Sequence, residues 1–327
     1  MTTQAWIRRR GLLAGAAGLL ATPRLAHAAY PDRPIRMMIP YGGGGQTDVV
    51  ARIVADAMSR NLGQQVLPDN RPGAAGVIAA EAVVRSPADG YTILVGTRNT
   101  QAINEALRPN LPFAHARDLA TIGLYATTPN ILLLHSSVPA RDLRGFIDHA
   151  RAHPGTLNFA SSGIGATTHL SMELLMEKER LEMIHVPYRQ STQGMTDLLA
   201  GRVQARLVGL PEAEPVRTDP RIHAIGVTSP TRAPNWPDVP AIGEVVPGYE
   251  ALNLFGIMAH GQTPPEMIRR LNRSLNEALA TAALREAFAR VGADPAAPNS
   301  PEQADAQAVA QSNLWVPLIR RLNLSAQ

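Results

Sequence analysis

From residue 29 onward, short β-branched or apolar runs alternate with longer amphipathic stretches, and glycine, proline, asparagine and aspartate stand between them. That rhythm is the mark of α/β domains. Residues 35–40 predict a strand, 49–61 a helix ended by Gly63, and 66–67 a second strand. The turn Asn70-Arg71-Pro72-Gly73-Ala74-Ala75-Gly76 feeds a helix through Val84, and Asp89-Gly90 turns into a strand over 91–96. A loop rich in proline and asparagine follows. Residues 119–124 and 131–135 predict two strands, 143–152 a helix, 157–160 a strand and 169–179 a helix. Runs at 183–186, 203–207 and 223–227 continue the strands, with a helix over 193–200. The tail predicts helices near 265–280, 283–291 and 301–322. The sequence has no internal repeat and no low-complexity tract.

The first 28 residues break this rhythm. Arg8, Arg9 and Arg10 precede an apolar run over 11–21, and Ala26-His27-Ala28 forms a cleavage site of the A-x-A kind. The run is well short of the roughly 20 residues that a membrane-spanning helix needs. These parts predict a cleaved export signal over 1–28 and a soluble mature protein outside the cytoplasm. Arg9-Arg10-Gly11-Leu12-Leu13 fits a loose twin-arginine pattern, so the folded and the ordinary export routes are both compatible with it.

Charge is counted on the mature chain. Removing the four signal arginines from 31 basic residues leaves 27, against 27 acids. A nucleic-acid partner, which needs a basic excess on one face, is excluded. With no cysteine there is no disulfide, thiolate metal site, catalytic thiol or lipid acceptor. Lys178 is the only lysine, which removes Schiff-base chemistry and a phosphate-cradling P-loop.

Two loops carry the chemistry. Tyr41-Gly42-Gly43-Gly44-Gly45-Gln46-Thr47-Asp48 and Ser161-Ser162-Gly163-Ile164-Gly165-Ala166-Thr167-Thr168 each leave the carboxyl end of a predicted strand and open a helix. The first N–H groups of such a helix lack partners and its dipole favours an anion. Glycines allow close approach to the backbone, and Ser or Thr adds hydroxyls. Either loop alone is equally compatible with a ligand-free βα turn. Two of them, in different lobes, would hold a carboxylate or phosphate between two helix N-termini. Asp48 reads as a cap of its helix.

Other motifs fail for nameable reasons. The glycines at 163 and 165 match half a dinucleotide fingerprint, and the strand ending in His185-Val186 lacks the ribose-binding acid. There is no G-x-S-x-G elbow and no H-E-x-x-H. His149 and His153 have a zinc-compatible spacing, but His153 stands at a helix end where a cation is favourable in any case. His169 and His185 read as structural imidazoles. A catalytic trio of Ser162, His169 and Asp48 is conceivable, though helix capping accounts for each.

Read in order, the motifs resemble a known family. Pro40-Tyr41-Gly42-Gly43-Gly44-Gly45-Gln46-Thr47-Asp48 is similar to the glycine-rich Thr-Asp signature of the tripartite tricarboxylate transporter solute receptors, the Bug family. Asn70-Arg71-Pro72-Gly73, Asp89-Gly90-Tyr91-Thr92, Pro129-Asn130, His185-Val186-Pro187-Tyr188 and Pro237-Asp238-Val239-Pro240 follow in that family's order over essentially the whole mature chain. The resemblance implies an α/β, two-lobed periplasmic binding protein type II fold with a hinge and an interlobe cleft. It implies lobe one over 29–127, lobe two over 128–228, and completion of lobe one by 229–327, with crossings near Thr127 to Asn130 and Val227 to Ser229.

The resemblance also implies a function: a periplasmic receptor that traps a small organic carboxylate, partly through ordered water, and hands it to integral membrane permease subunits. It implies no covalent chemistry and no cofactor or metal; a monomer is expected. Carried over by motif, Tyr41, Gly42, Gly43, Gln46 and Thr47 of the first loop and Ser161, Ser162, Gly163, Gly165 and Thr167 of the second would contact ligand, with Tyr188 walling the cleft. Where the family carries aspartates this chain has Gln204 and Val208, and Leu254 replaces a tryptophan. Gln190 stands where a glycine is common, and the first loop has glycine for Pro-Pro. These departures remove acid and add room, which argues against an amino-acid ligand. Arg98, just past the 91–96 strand, is a candidate bidentate partner for a carboxylate. Two other functions share these features: a ligand-sensing partner of a membrane signalling protein, and an exported hydrolase or isomerase.

Overall fold

The computed structural model describes residues 30–108, 110–188 and 190–326, so the export segment lies outside the described residues. The first part of the chain runs β1 (Ile35–Ile39), α1 (Gln46–Leu62), β2 (Val66–Asn70), α2 (Val77–Val84), β3 (Thr92–Val95), α3 (Arg98–Leu107), α4 (His115–Asp118) and β4 (Leu119–His135). There follow α5 (Leu143–Ala152), β5 (Asn158–Ser161), α6 (Thr167–Glu179), β6 (Ile184–Pro187), α7 (Ser191–Leu199), β7 (Ala205–Gly209), α8 (Leu210–Ala213) and β8 (Ile222–Val227). The last part is β9 (Leu252–His260), α9 (Pro265–Leu279), α10 (Ala282–Arg290), β10 (Asp294–Pro295) and α11 (Pro301–Arg321).

One strand belongs to both lobes. β4 is 17 residues long, roughly 55 Å at a strand's rise. Its first part, Leu119 to Pro129, pairs antiparallel with β9 and extends a sheet of order β2-β1-β3-β9-β4. From Asn130 onward it pairs with β7, and from Ile131 with β8, opening the second sheet, β4-β7-β5-β6. The sequence predicts two strands here, split by Thr-Thr-Pro-Asn. The segment between stays extended because Ala126, Thr127, Thr128 and Pro129 have partners in Phe255, Leu254, Asn253 and Leu252. Proline removes only one ladder donor, and the register absorbs it.

The core follows the sheets. Val50, Val54 and Met58 of α1 pack with Ile35, Met37 and Ile39 of β1 and with Leu271, Leu275 and Phe288 from α9 and α10. In the second lobe, Phe146, Phe159, Leu170 and Leu174 cover one face and Leu198, Val208 and Trp236 the other. Each fully buried side chain of this size contributes roughly 1.5 to 3 kcal/mol of transfer free energy.

Three expectations are corrected. Residues 98–107 form a helix, α3, where the sequence suggests a loop. Its polar residues mask the pattern, and Ile103 and Leu107 are buried by packing with Trp315, Leu318 and Ile319 of α11. Residues 229–251 do not return to lobe one: Trp236, Val239 and Ala241 lie in the core with Val208 and Val227, and Tyr249 bonds Ser171 O at 2.9 Å. The chain re-enters lobe one at Leu252, in a strand absent from the sequence reading. Finally, α11 does not simply complete lobe one. Its second half joins the lobe-two core, and Arg321 pairs with Glu177 of α6 at 2.8 and 2.9 Å.

Candidate functional site

Both glycine-rich loops reach the junction of the lobes, at the carboxyl ends of β1 and β5. α1 begins after Gly45, and α6 after Ala166, and neither of these residues supplies a side-chain cap. The first amide of α1, Gln46 N–H, meets Glu212 Oε1 at 3.4 Å, whereas the first amides of α6 have no intrahelical partner. Asp48 lies in the first turn of α1 and faces back: its Oδ2 accepts from Gly44 N at 2.9 Å and its Oδ1 from Arg52 Nε and Asn70 Nδ2, both at 2.9 Å. Burial raises its pKa, but the bonds from Arg52, Gly44 and Asn70 outweigh it and hold the carboxyl below its usual range. It shapes the loop, as capping suggests.

The second loop is held from beneath by two histidines. Gly165 N donates to His169 Nδ1 at 3.2 Å, so the proton sits on Nε2, which faces Glu173 Oε1 at 3.2 Å. His185 stacks on His169 with ring centroids 3.9 Å apart and bonds Ser161 Oγ at 2.6 Å. Burial, and then the neighbouring His169 ring, push His185 down to about 3. Ser161 Oγ also takes Gly163 N at 3.1 Å, and Thr168 Oγ1 takes Ser162 N at 3.0 Å. These amides are spent inside the loop, whereas those of Thr167 and Thr168, the first of α6, have no intrahelical partner, and both residues line the cleft.

A cavity between the loops holds about 520 Å³ of space, including solvent at its mouth. Tyr41, Gly42, Gly45, Gln46 and Thr47 line it from α1, and Ser162, Ala166, Thr167 and Thr168 from α6. An adjoining chamber shares Tyr41, Thr47, Thr167 and Asn253 and is otherwise lined largely by apolar groups, among them Val95, Ile103, Leu254 and Phe255, together with Gly165 and Thr100. Gly163 and Tyr188 line a third opening beside Tyr41, Ser162 and Arg108. Of the residues singled out by sequence, Ser161 is wholly buried below the loop, and Gly43 is exposed and lines none of these spaces. Arg98 is the first residue of α3, after the Thr97 cap, and its side chain lies outside the described ones.

The floor of the cleft went unread in the sequence. Asn253 of β9 is a hub: its Nδ2 donates to Gln46 Oε1 at 3.0 Å, Asn130 Oδ1 at 3.1 Å and Thr128 O at 3.2 Å. Its Oδ1 accepts from the Thr167 hydroxyl. Gln46 Nε2 donates to Pro129 O at 3.0 Å. Both lobes and the shared strand thus meet in one network. Asn130 had a signal in the Pro129-Asn130 motif, and Asn253 adjoins the departure at Leu254. Glu212, just beyond β7, had none, and it corrects the inference that this cleft has lost its acids. Its Oε2 lies 3.2 Å from Nη2 of Arg206, which is 1% exposed.

Two sheets joined by one long strand, with helix N-termini on either side of the junction, define the two-lobed fold of the type II periplasmic binding proteins. The comparisons give the family. The chain belongs to the tripartite tricarboxylate transporter family receptors, whose family model matches residues 50–324. BugT of Bordetella pertussis is 33% identical over 313 residues, 95% of each chain. A solved R. palustris protein with adipate superposes with a TM-score of 0.85 and 32% identity, covering 90% of this chain and 99% of that one. The periplasmic binding protein BugD superposes at 0.83 with 28% identity, over 91% and 100% of the two chains.

Proposed function

We propose that this protein is an extracytoplasmic receptor that traps a small organic carboxylate between its lobes and delivers it to the membrane subunits of a tripartite tricarboxylate-type transporter. The observation that carries this reading is the pair of helix N-termini, α1 and α6, on either side of one cavity, with the first amides of α6 left without intrahelical partners. The adipate in the R. palustris relative supports a carboxylate as the ligand class. The carboxylate would bond the Thr167 and Thr168 amides and hydroxyls of Ser162 and Thr47, beside Tyr41, and Arg98, which opens α3, is the proposed countercharge. We draw lobe one as residues 30–129 and 252–300 and lobe two as 130–251, with α3 and α11 straddling both. Export by the cleaved segment 1–28, a periplasmic location and a monomeric state belong to the same reading, and no catalytic step is assigned to any residue.

The test is a thermal-shift screen of the mature protein against carboxylates. A ligand present at a hundred times its Kd stabilises the fold by roughly 2.7 kcal/mol. Stabilisation by at least one carboxylate, lost in Thr167→Ala, is the expected result. If no carboxylate raises the midpoint while an uncharged solute does, the reading fails.

A further inference from the structure

Glu212 occupies the place that the loop geometry reserves for an anion. Its Oε1 accepts from the Gln46 backbone N–H at 3.4 Å, and a Cβ built on Gly45 would come 3.3 Å from that oxygen. A carboxylate of lobe two is therefore seated on the first turn of α1, where the dipole favours it. Arg206 lies behind it at 1% exposure and supplies the countercharge, while Glu212 itself lines the cavity between the loops. A pair withdrawn from water to this depth keeps its geometry, because breaking it strands a charge.

This seating divides the cavity. The amides of α6 remain for the ligand's carboxylate, and the end near α1 already holds a carboxylate. At that end stands Asn130, 1% exposed, whose Nδ2 has no hydrogen-bond partner among the described residues and which lines the same cavity. An acceptor on Glu212 and an unmet donor on Asn130 thus belong to two residues that line the same end of the cavity. A hydroxyl satisfies both, since it donates one hydrogen bond and accepts others. A second ligand carboxylate would meet Glu212 as a like charge in a low-dielectric cleft. An ammonium could bond Glu212 but would leave Asn130 unmet, and it would approach Arg206 and the positive end of α1.

Building on the carboxylate-receptor reading, we infer that Glu212, with Asn130, determines the specificity of the cleft: it selects a carboxylate whose other end carries an uncharged hydroxyl and turns away dicarboxylates.

The test uses the mature protein and straight-chain acids of three to five carbons that end in methyl, hydroxyl, ammonium or carboxylate, measured by titration calorimetry. In the wild type, the hydroxyl-ended acid of the best length should bind at least tenfold tighter than its methyl-ended match, with the dicarboxylate weakest. Glu212→Gln, checked for folding by circular dichroism, should narrow the gap between dicarboxylate and hydroxy acid at least tenfold. Should Glu212→Gln not fold, the wild-type ranking decides alone. Tightest binding of the dicarboxylate or of the ammonium-ended acid in the wild type overturns the inference, as does a Glu212→Gln ranking within twofold of wild type. If none of the acids binds, and a broad carboxylate screen is also silent, the receptor reading itself has failed.

Discussion

Gly165 lies directly against Leu107: a Cβ built on the glycine would fall 2.2 Å from Leu107 Cδ1, and its φ is 85°. The second cradle loop and α3 are therefore fitted to each other with no room for a side chain. Gly165→Ala adds a left-handed strain of about 1 kcal/mol and forces Leu107 to move. Urea unfolding should show a loss of roughly 2 to 4 kcal/mol. Adding Leu107→Ala should recover less than the whole, because it opens a cavity of its own while leaving the strain. A neutral Gly165→Ala would contradict the packing.

Removing the amide hub has a different signature. Asn253→Leu leaves Gln46 Oε1 and the Thr167 hydroxyl without their partner across the lobe junction. The buried Gln46 orphan costs about 1 to 3 kcal/mol, and the half-buried Thr167 hydroxyl, which lines the cavity, costs less. Stability should fall by that order, and affinity for the best carboxylate should fall at least tenfold, since Thr167 loses its orientation. An unchanged Kd in calorimetry, with lowered stability, would make the hub structural only.

Two arginines compete for the role of ligand cation. Arg98 opens α3 beside the apolar chamber, while Arg108 lines the third opening next to Tyr41, with Nη1 on Asn104 Oδ1 at 3.1 Å. Burial pushes Tyr41 up to about 12 and Arg108 below its ordinary value. If Arg98 pairs the carboxylate, Arg98→Ala costs about 1.5 to 3 kcal/mol of binding, roughly 10- to 150-fold, and Arg108→Ala costs little. Calorimetry on the two variants decides, and an Arg98→Ala affinity within twofold of wild type removes it from the site.

Acid should loosen the second loop through His185. Its pKa, near 6.5 when unfolded, is pushed down to about 3 by burial and by His169. The unfolded chain takes up this proton first, so the stability linked to the neutral ring is complete above pH 6.5 and is lost as pH falls toward 3. Partial exposure reduces the full linkage to roughly 2 to 4 kcal/mol. Urea midpoints between pH 3.5 and 7.5 should fall more steeply for the wild type than for His185→Gln. Parallel curves would show that His185 does not titrate between the two states.

The amino-acid sequence by itself determined what depends on neighbours along the chain. The helix over 143–152 was legible to the residue because Asp142 caps it, accepting from Gly145 N at 2.8 Å, and its apolar face repeats at helical spacing. The two glycine-rich loops were legible because the left-handed turns at Gly44, Gly163 and Gly165 suit glycine, and their order with the other motifs gave the family. The tertiary structure alone decided what depends on partners far away. Residues 125–130 read as a break, yet they stay extended because β9 lies beside them. Polar-rich α3 is a helix because α11 covers Ile103 and Leu107. The floor of the cleft joins Gln46 to Asn253 across 207 positions and to Glu212 across 166. No local pattern encodes such pairs, because a hydrogen bond depends on distance in space, and only the closed fold brings these groups within reach.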